Sequence, residues 1–214
     1  MKDVTVINFY GGPGSGKSTA AAGLFSQMKL AGYKVELTDE FAKECVWEGN
    51  IPMLQDQLWV LGHQHRKILR LSDKVDYIIT DSPVLLSPIY RERYGESIYT
   101  DLIDKMALEC YNLYEHNINF MLTRPEGFDQ NGRAQDEAEC REIDEAIVNQ
   151  FELLDIQYIK LRSKDNAKEA FKTLQSEYAF MKNLISPIRA LVIPLLVFIQ
   201  RLSKNTIDMI TCNI

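Results

Sequence analysis

The 214 residues, 46% hydrophobic and 25% charged, have the make-up of an ordinary globular protein and the length of one α/β domain, which predicts a single core. The formal charge of -6 leaves no electrostatic footprint for tight nucleic-acid binding. Cys45, Cys110, Cys140 and Cys212 lie far apart without C-x-x-C spacing, which argues against a disulfide scaffold or zinc site and for free thiols in a reducing compartment.

The N-terminus lacks the basic-then-apolar layout of a signal peptide, so a cytoplasmic location is expected, in a host cell if the chain is phage-encoded. Val4 to Tyr10 is rich in β-branched and aromatic residues and stops at Gly11-Gly12-Pro13-Gly14, the pattern of a buried strand entering a tight loop. Helix formers run from Ser18 to Ala31, with Gly32 placed for a left-handed C-cap. A second strand is expected over Tyr33 to Leu37. Thr38 or Asp39 would then cap a helix carrying Glu40, Lys43, Glu44 and Trp47. A long helical stretch follows, about Asn50 to Ser72, with Trp59 expected in the core and Gln64 and Arg66 able to reach a ligand. His63 and His65 sit two apart and face different directions on a helix, so they make no zinc pair.

The next strand, Val75 to Thr80, ends in Asp81-Ser82-Pro83. Strands are also expected over Ile118 to Thr123 and Gln157 to Leu161, with helices near Thr100 to His116, Asp136 to Leu154 and Asn166 to Leu184. Strands separated by helix-length segments predict a three-layer α/β fold whose five-stranded parallel sheet binds ligands at its carboxyl edge. The expected division is a domain over residues 1–184 and an apolar, basic tail over 185–214. Leu191 to Ile199 is nearly all apolar but interrupted by Pro194, and it is far shorter than the ~20 residues needed to span a bilayer. A last element packed on the domain or a poorly ordered end is the expectation for this tail, and a basic, interfacial membrane contact is the alternative.

Gly11, Gly16, Lys17 and Ser18 fit G-x-x-x-x-G-K-[ST] between a predicted strand and a predicted helix. The glycines let the backbone curl so that N–H groups face phosphates, and the helix N-terminus adds a positive field. Lys17 is expected on the β- and γ-phosphates and Ser18 on Mg²⁺, with Asp81, closing its strand, as the second magnesium contact. The nucleotide-binding set is thus Gly11, Gly12, Pro13, Gly14, Ser15, Gly16, Lys17, Ser18 and Thr19. Ser82 stands where a motor ATPase commonly has a water-polarising glutamate, and the Asp-x-x-Gly and Asn-Lys-x-Asp patterns of GTPases are missing, which favours transfer to a bound acceptor over hydrolysis or switching.

With Glu40 to Glu48, Gln57, Leu61-Gly62-His63-Gln64, Asp81-Ser82-Pro83 and Asn131-Gly132-Arg133 added to the phosphate loop, residues 4 to 162 resemble the P-loop nucleoside and nucleotide kinases. The resemblance is to small phage and bacterial members similar to ribosylnicotinamide kinase domains and to phage 5-hydroxymethyluracil DNA kinases. It implies a kinase-like P-loop fold using ATP and Mg²⁺, and a nucleoside-type acceptor, free or within DNA, held over strands two and three. An acid after strand two would orient or deprotonate the acceptor hydroxyl. Glu40 is the first choice, Asp39 and Glu44 the alternatives. Arg124 to Gln135 would form a flap, with Arg133, or in second place Arg124, on the transferring phosphoryl group. Arg162 to Asn166 occupies the place where such folds hold adenine. The rival class is a regulatory module that binds ATP and signals through a partner.

Overall fold

The computed structural model describes residues 2–94, 99–124, 137–162 and 165–176. The chain divides into the unit Met1–Phe171, which carries the features below, and the unit Lys172–Ile214, of which only the helical residues 172–176 are described. The tail expected over 185–214 lies outside the described residues. Among the described residues no helix is long and apolar enough to cross a membrane.

The described strands are β1 (Lys2–Tyr10), β2 (Val35–Thr38), β3 (Tyr77–Thr80), β4 (Tyr114–Leu122) and β5 (Ile159–Leu161). They form one all-parallel sheet in the order β2-β3-β1-β4-β5. The helices are α1 (Lys17–Leu30), α2 (Phe41–Trp47), α3 (Gln57–Leu69), α4 (Leu86–Tyr94), α5 (Thr100–Asn112) and α6 (Glu137–Leu153), and a further helical stretch covers 166–176. Side-chain alternation along β1 sorts the core. Val4, Val6 and Tyr10 join Leu61 and Ile68 of α3, Ile89 of α4, Ile103 of α5 and Ile143, Ile147 and Phe151 of α6 in one buried cluster. Ile7 and Phe9 point the other way and are also buried, with Phe9 stacked on Phe120 at 5.5 Å. The result is the predicted three-layer α/β architecture, with helices against a parallel sheet.

Several elements depart from the sequence expectation. The long helix expected over Asn50 to Ser72 is broken: a 3-10 turn at Ile51–Leu54 precedes α3, and Asp56 caps α3 by accepting from Trp59 N at 3.0 Å. Trp59 is half-buried rather than in the core, its ring tilted against that of His63 with centroids 4.0 Å apart. β4 begins at Tyr114, four residues before Ile118, because the long β1 offers it partners from Lys2 onward. Tyr33 stays outside β2 and meets the Tyr77 ring edge-on at 5.6 Å. α4 was not anticipated.

The registers place Thr38, Thr80 and Asn8 side by side across β2, β3 and β1. Each of these strands then runs into the residue that sequence reasoning assigned to chemistry, so Asp39 and Glu40, Asp81, and the phosphate loop emerge along one edge of the sheet. β1 is also where the strand order reverses, because the chain leaves it through α1 for β2 on one side and later returns to β4 on the other. Such switch points open the crevice in which α/β folds bind ligands.

Candidate active site

Between β1 and α1 the backbone curls as a phosphate loop must. Gly16 caps α1 at φ 92°, ψ 16°, a left-handed conformation that a side chain would resist. It thereby aims the first turn of α1, Lys17 and Ser18 included, back over the strand edge. Lys17 folds along the loop and donates to Gly11 O at 2.7 Å and Gly12 O at 3.2 Å. Burial pushes its ammonium below the usual lysine value, against the pull of Glu40, Asp81 and Asp144, while Arg124 adds to the lowering. A cation held short of its full electrostatic complement is suited to an incoming polyanion. Ser15 is buried and its hydroxyl has no protein partner.

Ser18 and Asp81 line one cavity of about 300 Å³ together with Ala21, Ala22, Leu37, Thr38, Asp39, Glu40, Glu44 and Trp47. Asp81 is buried, and its Oδ1 has no hydrogen-bond partner. A buried carboxylate oxygen left without a protein donor is costly unless something else meets it. With the Ser18 hydroxyl on the same cavity, the pair fits the two protein contacts of a magnesium ion whose remaining ligands are phosphate and water. Among the described residues no cluster of three His, Cys, Asp or Glu side chains could hold a metal ion by itself.

On the same cavity Glu40 is the N-cap residue of α2, but its side chain makes no capping bond. Nor do Thr38 and Asp39 cap α2, as had been expected. The Thr38 hydroxyl donates to Ile79 O at 3.3 Å, and Asp39 is engaged by Lys67 of α3. Lys67 bridges Asp39 Oδ1 and Glu44 Oε1, each at 2.9 Å, with only 14% of its own side chain exposed. Its hydrogen bond holds the Asp39 carboxyl below the usual range. Burial works against the Lys67 charge, but bonds to Glu44 and Asp39 outweigh it and raise its pKa. Of the three acids weighed here, two are therefore tied to one lysine. Nothing in the local sequence marks Lys67, which lies in an amphipathic helix 23 residues beyond Glu44 and meets it only in the fold.

Trp47 lies on the same cavity with 78% of its surface exposed, an unusual position for a tryptophan. Tyr90 of α4 is near enough for Glu40 to influence it. Burial first, then the charges of Glu40, Tyr94, Cys140 and Asp144, drive its phenol far above its ordinary pKa, so it stays a neutral hydroxyl.

The structure does not bring every predicted residue to the cavity. Gln64 is buried, and its amide donates to Thr80 Oγ1 at 3.2 Å, so it braces the end of β3 rather than reaching outward. Arg66 lies with Trp59, Gly62 and His63 on a separate groove of α3. Arg124 is engaged with Asp144 and the phosphate loop. Arg133 lies outside the described residues, as do residues 163 and 164 of the expected adenine loop. Of that loop, Arg162 N donates to Glu169 Oε2 at 3.0 Å, and Asp165 accepts from Lys168 N at 3.0 Å at the start of the next helical stretch.

Comparison with known proteins agrees with this fold. No curated protein matches the chain. Among solved structures, a NadR protein in complex with NR superposes with a TM-score of 0.68 at 13% identity, covering 81% of this chain and 51% of that one. A NadR protein in complex with NAD and AMP-PNP gives 0.58 at 14% identity, covering 81% and 49%. The chain thus spans about half the length of these structures, and at such identity the likeness speaks for the fold alone. Residues 6–169 match the model of a family described as AAA domain, and with its phosphate loop, parallel sheet and strand-end aspartate the chain belongs to that family of P-loop nucleotide-binding proteins.

Proposed function

We propose that the chain is an ATP-dependent kinase that transfers the γ-phosphoryl group to a hydroxyl of a nucleoside-type acceptor. The observation that carries this reading is the shared cavity, which the phosphate-loop serine, Asp81 and Glu40 line together. A nucleotide gripped by the loop would present its γ-phosphate to that space, and an acceptor resting on α2 would present its hydroxyl from the far side.

In this reading the acceptor oxygen forms a bond to Pγ while the bond from Pγ to the β,γ-bridging oxygen breaks, and its electron pair leaves with ADP. Glu40 holds the hydroxyl in line and takes its proton. Since the transition state is loose, positioning contributes more than base strength. Lys17 follows the developing charge on the β- and γ-oxygens. A magnesium ion held by Ser18 and Asp81 would neutralise charge shared between those phosphates. Arg133 keeps its proposed place on the transferring group.

The acceptor wall favours a small uncharged or cationic molecule. Asp39, Glu40, Glu44 and Asp81 line the cavity, and Lys67 answers Asp39 and Glu44, so a phosphorylated or polynucleotide acceptor would meet unbalanced negative charge. The exposed Trp47 ring offers a face on which a planar base can stack. A free nucleoside, including a ribosylnicotinamide-type one, is therefore preferred over 5-hydroxymethyluracil within DNA.

The test is incubation with γ-labelled ATP and Mg²⁺ against a panel of free nucleosides and hydroxymethylated DNA. Label should pass to a free nucleoside. Transfer only to DNA would move the acceptor assignment, and slow hydrolysis unaffected by any acceptor would favour a regulatory ATP-binding module instead.

A further inference from the structure

Arg124 follows β4 and Asp144 lies on α6, far from each other in sequence and assigned no part in the reaction above. Only 7% of the Arg124 side chain and 20% of that of Asp144 is exposed. Arg124 donates from Nε and Nη2 to Asp144 Oδ2 at 3.1 and 2.9 Å, from Nη1 to Pro13 O at 2.8 Å, and from Nη2 to Cys140 O at 3.2 Å. The second oxygen, Asp144 Oδ1, accepts the backbone N–H of Gly12. One buried pair thus grips both the N–H of Gly12 and the carbonyl of Pro13 on the outer side of the phosphate loop, while Lys17 holds Gly11 O and Gly12 O.

The fit leaves no slack. A Cβ on Gly12 would stand 2.6 Å from Cys140 O, 3.0 Å from Arg124 Nη2 and 3.1 Å from Asp144 Oδ1. The first contact is with helix backbone, which cannot turn aside. Gly12 is therefore glycine for the close approach of loop to helix, in addition to whatever curl the loop requires. With most of its five N–H donors committed in a planar fork, Arg124 has little left for a phosphate, and its charge is met by Asp144.

We propose that Arg124 and Asp144 are positioning residues that hold the phosphate loop in its nucleotide-binding shape before nucleotide arrives. Loop amides bind phosphate well only when they already point at it, because each residue ordered on binding subtracts from affinity. The clamp supplies that order from α6, using two groups that do not touch the ligand. This rests on the loop being the nucleotide site and not on which acceptor is phosphorylated.

Titration calorimetry of MgATP into the full chain tests it, with melting temperature measured on each variant. Asp144→Asn removes the charge and weakens the acceptance from both Arg124 and Gly12. Its dissociation constant for MgATP should rise roughly tenfold, about the equilibrium factor for ordering one backbone residue. Arg124→Lys should not rescue binding, since one ammonium cannot span Asp144, Pro13 O and Cys140 O. Should these variants fold poorly, the pair Arg124→Met with Asp144→Leu removes both charges together and keeps the interior filled, and it should melt near the wild type yet bind MgATP about as weakly as Asp144→Asn. Dissociation constants within twofold of wild type across the folded variants, whatever their melting temperatures, would mark a merely structural pair and overturn the proposal. Failure of every acceptor in the transfer assay would leave this result untouched.

Discussion

In the proposed reaction Lys17 attends the phosphates and Glu40 the acceptor, so their substitutions should separate binding from chemistry. Lys17→Ala removes a preorganised cation from the β- and γ-phosphates, and turnover should fall by roughly 10²–10³-fold with weakened nucleotide affinity. Glu40→Ala should leave MgATP affinity unchanged while lowering kcat by about 10²-fold or more, the lower range for losing a general base. Full turnover in Glu40→Ala would hand the role to Asp39 or Glu44, both of which are held by Lys67. Lys17 also carries a pH signature. Burial holds its pKa below the usual ~10.4, and bound phosphates would raise it again, so the complex holds more proton than the free protein. Nucleotide binding should therefore take up protons as pH rises through the free-state value and weaken beyond it. Calorimetry in buffers of differing ionisation enthalpy reads this directly.

At the scale of elements, α2 is short and starts without a side-chain cap, so its placement depends on what holds it from outside. Lys67 does this from α3, bonding Asp39 O as well as the carboxylates of Asp39 and Glu44. Because both acids are at least half exposed, Lys67→Met should cost only about 0.5–1.5 kcal/mol of stability. Its effect on acceptor KM should be larger than on nucleotide affinity, since the acceptor wall is what moves. The sign of the pH dependence follows from the two shifts. The lowered Asp39 pKa contributes stability above ~3.9 that is lost as pH falls through the folded value. The raised Lys67 pKa contributes below ~10.4 and is lost as pH rises through its folded value. Denaturant titrations should find wild type and Lys67→Met converging below about pH 4 and again in strong alkali, and differing most between. The break before α3 and the existence of α4 each have a local signal in the sequence. Pro52 and the Asp56 cap mark the first. Pro88 in the first turn of α4, with Arg91 and Arg93 in its last, marks the second.

For the whole molecule the nucleotide is an expected source of stability, because the loop that binds it exists only when β1 and α1 are in place. At a hundredfold excess over its dissociation constant MgATP should add about 2.7 kcal/mol, or roughly 5–10 °C in melting temperature for a domain of this size. A thermal scan showing no shift with MgATP would contradict nucleotide binding by the folded chain.

Read from residues alone, the phosphate loop, the strand that feeds it, the acid at the end of β3 and the parallel sheet were all legible. Each depends on local chemistry: glycines where the backbone must curl, apolar β-branched runs where a strand is buried, a carboxylate where such a run stops. The start of β4 was not legible, because Glu115, His116 and Asn117 have no strand signal of their own and pair only because β1 extends far enough to meet them. Nor were the Lys67 bridge, the buried brace from Gln64 to Thr80, or the grip of Arg124 and Asp144 on the loop. These join residues from 16 to 132 positions apart, and the partner of a charged or amide side chain is decided by which strand ends and helices the sheet order brings together. Sequence determined where the phosphate loop sits along the chain; the tertiary structure decided which side chains line the cavity beside it and which hydrogen-bond the loop itself.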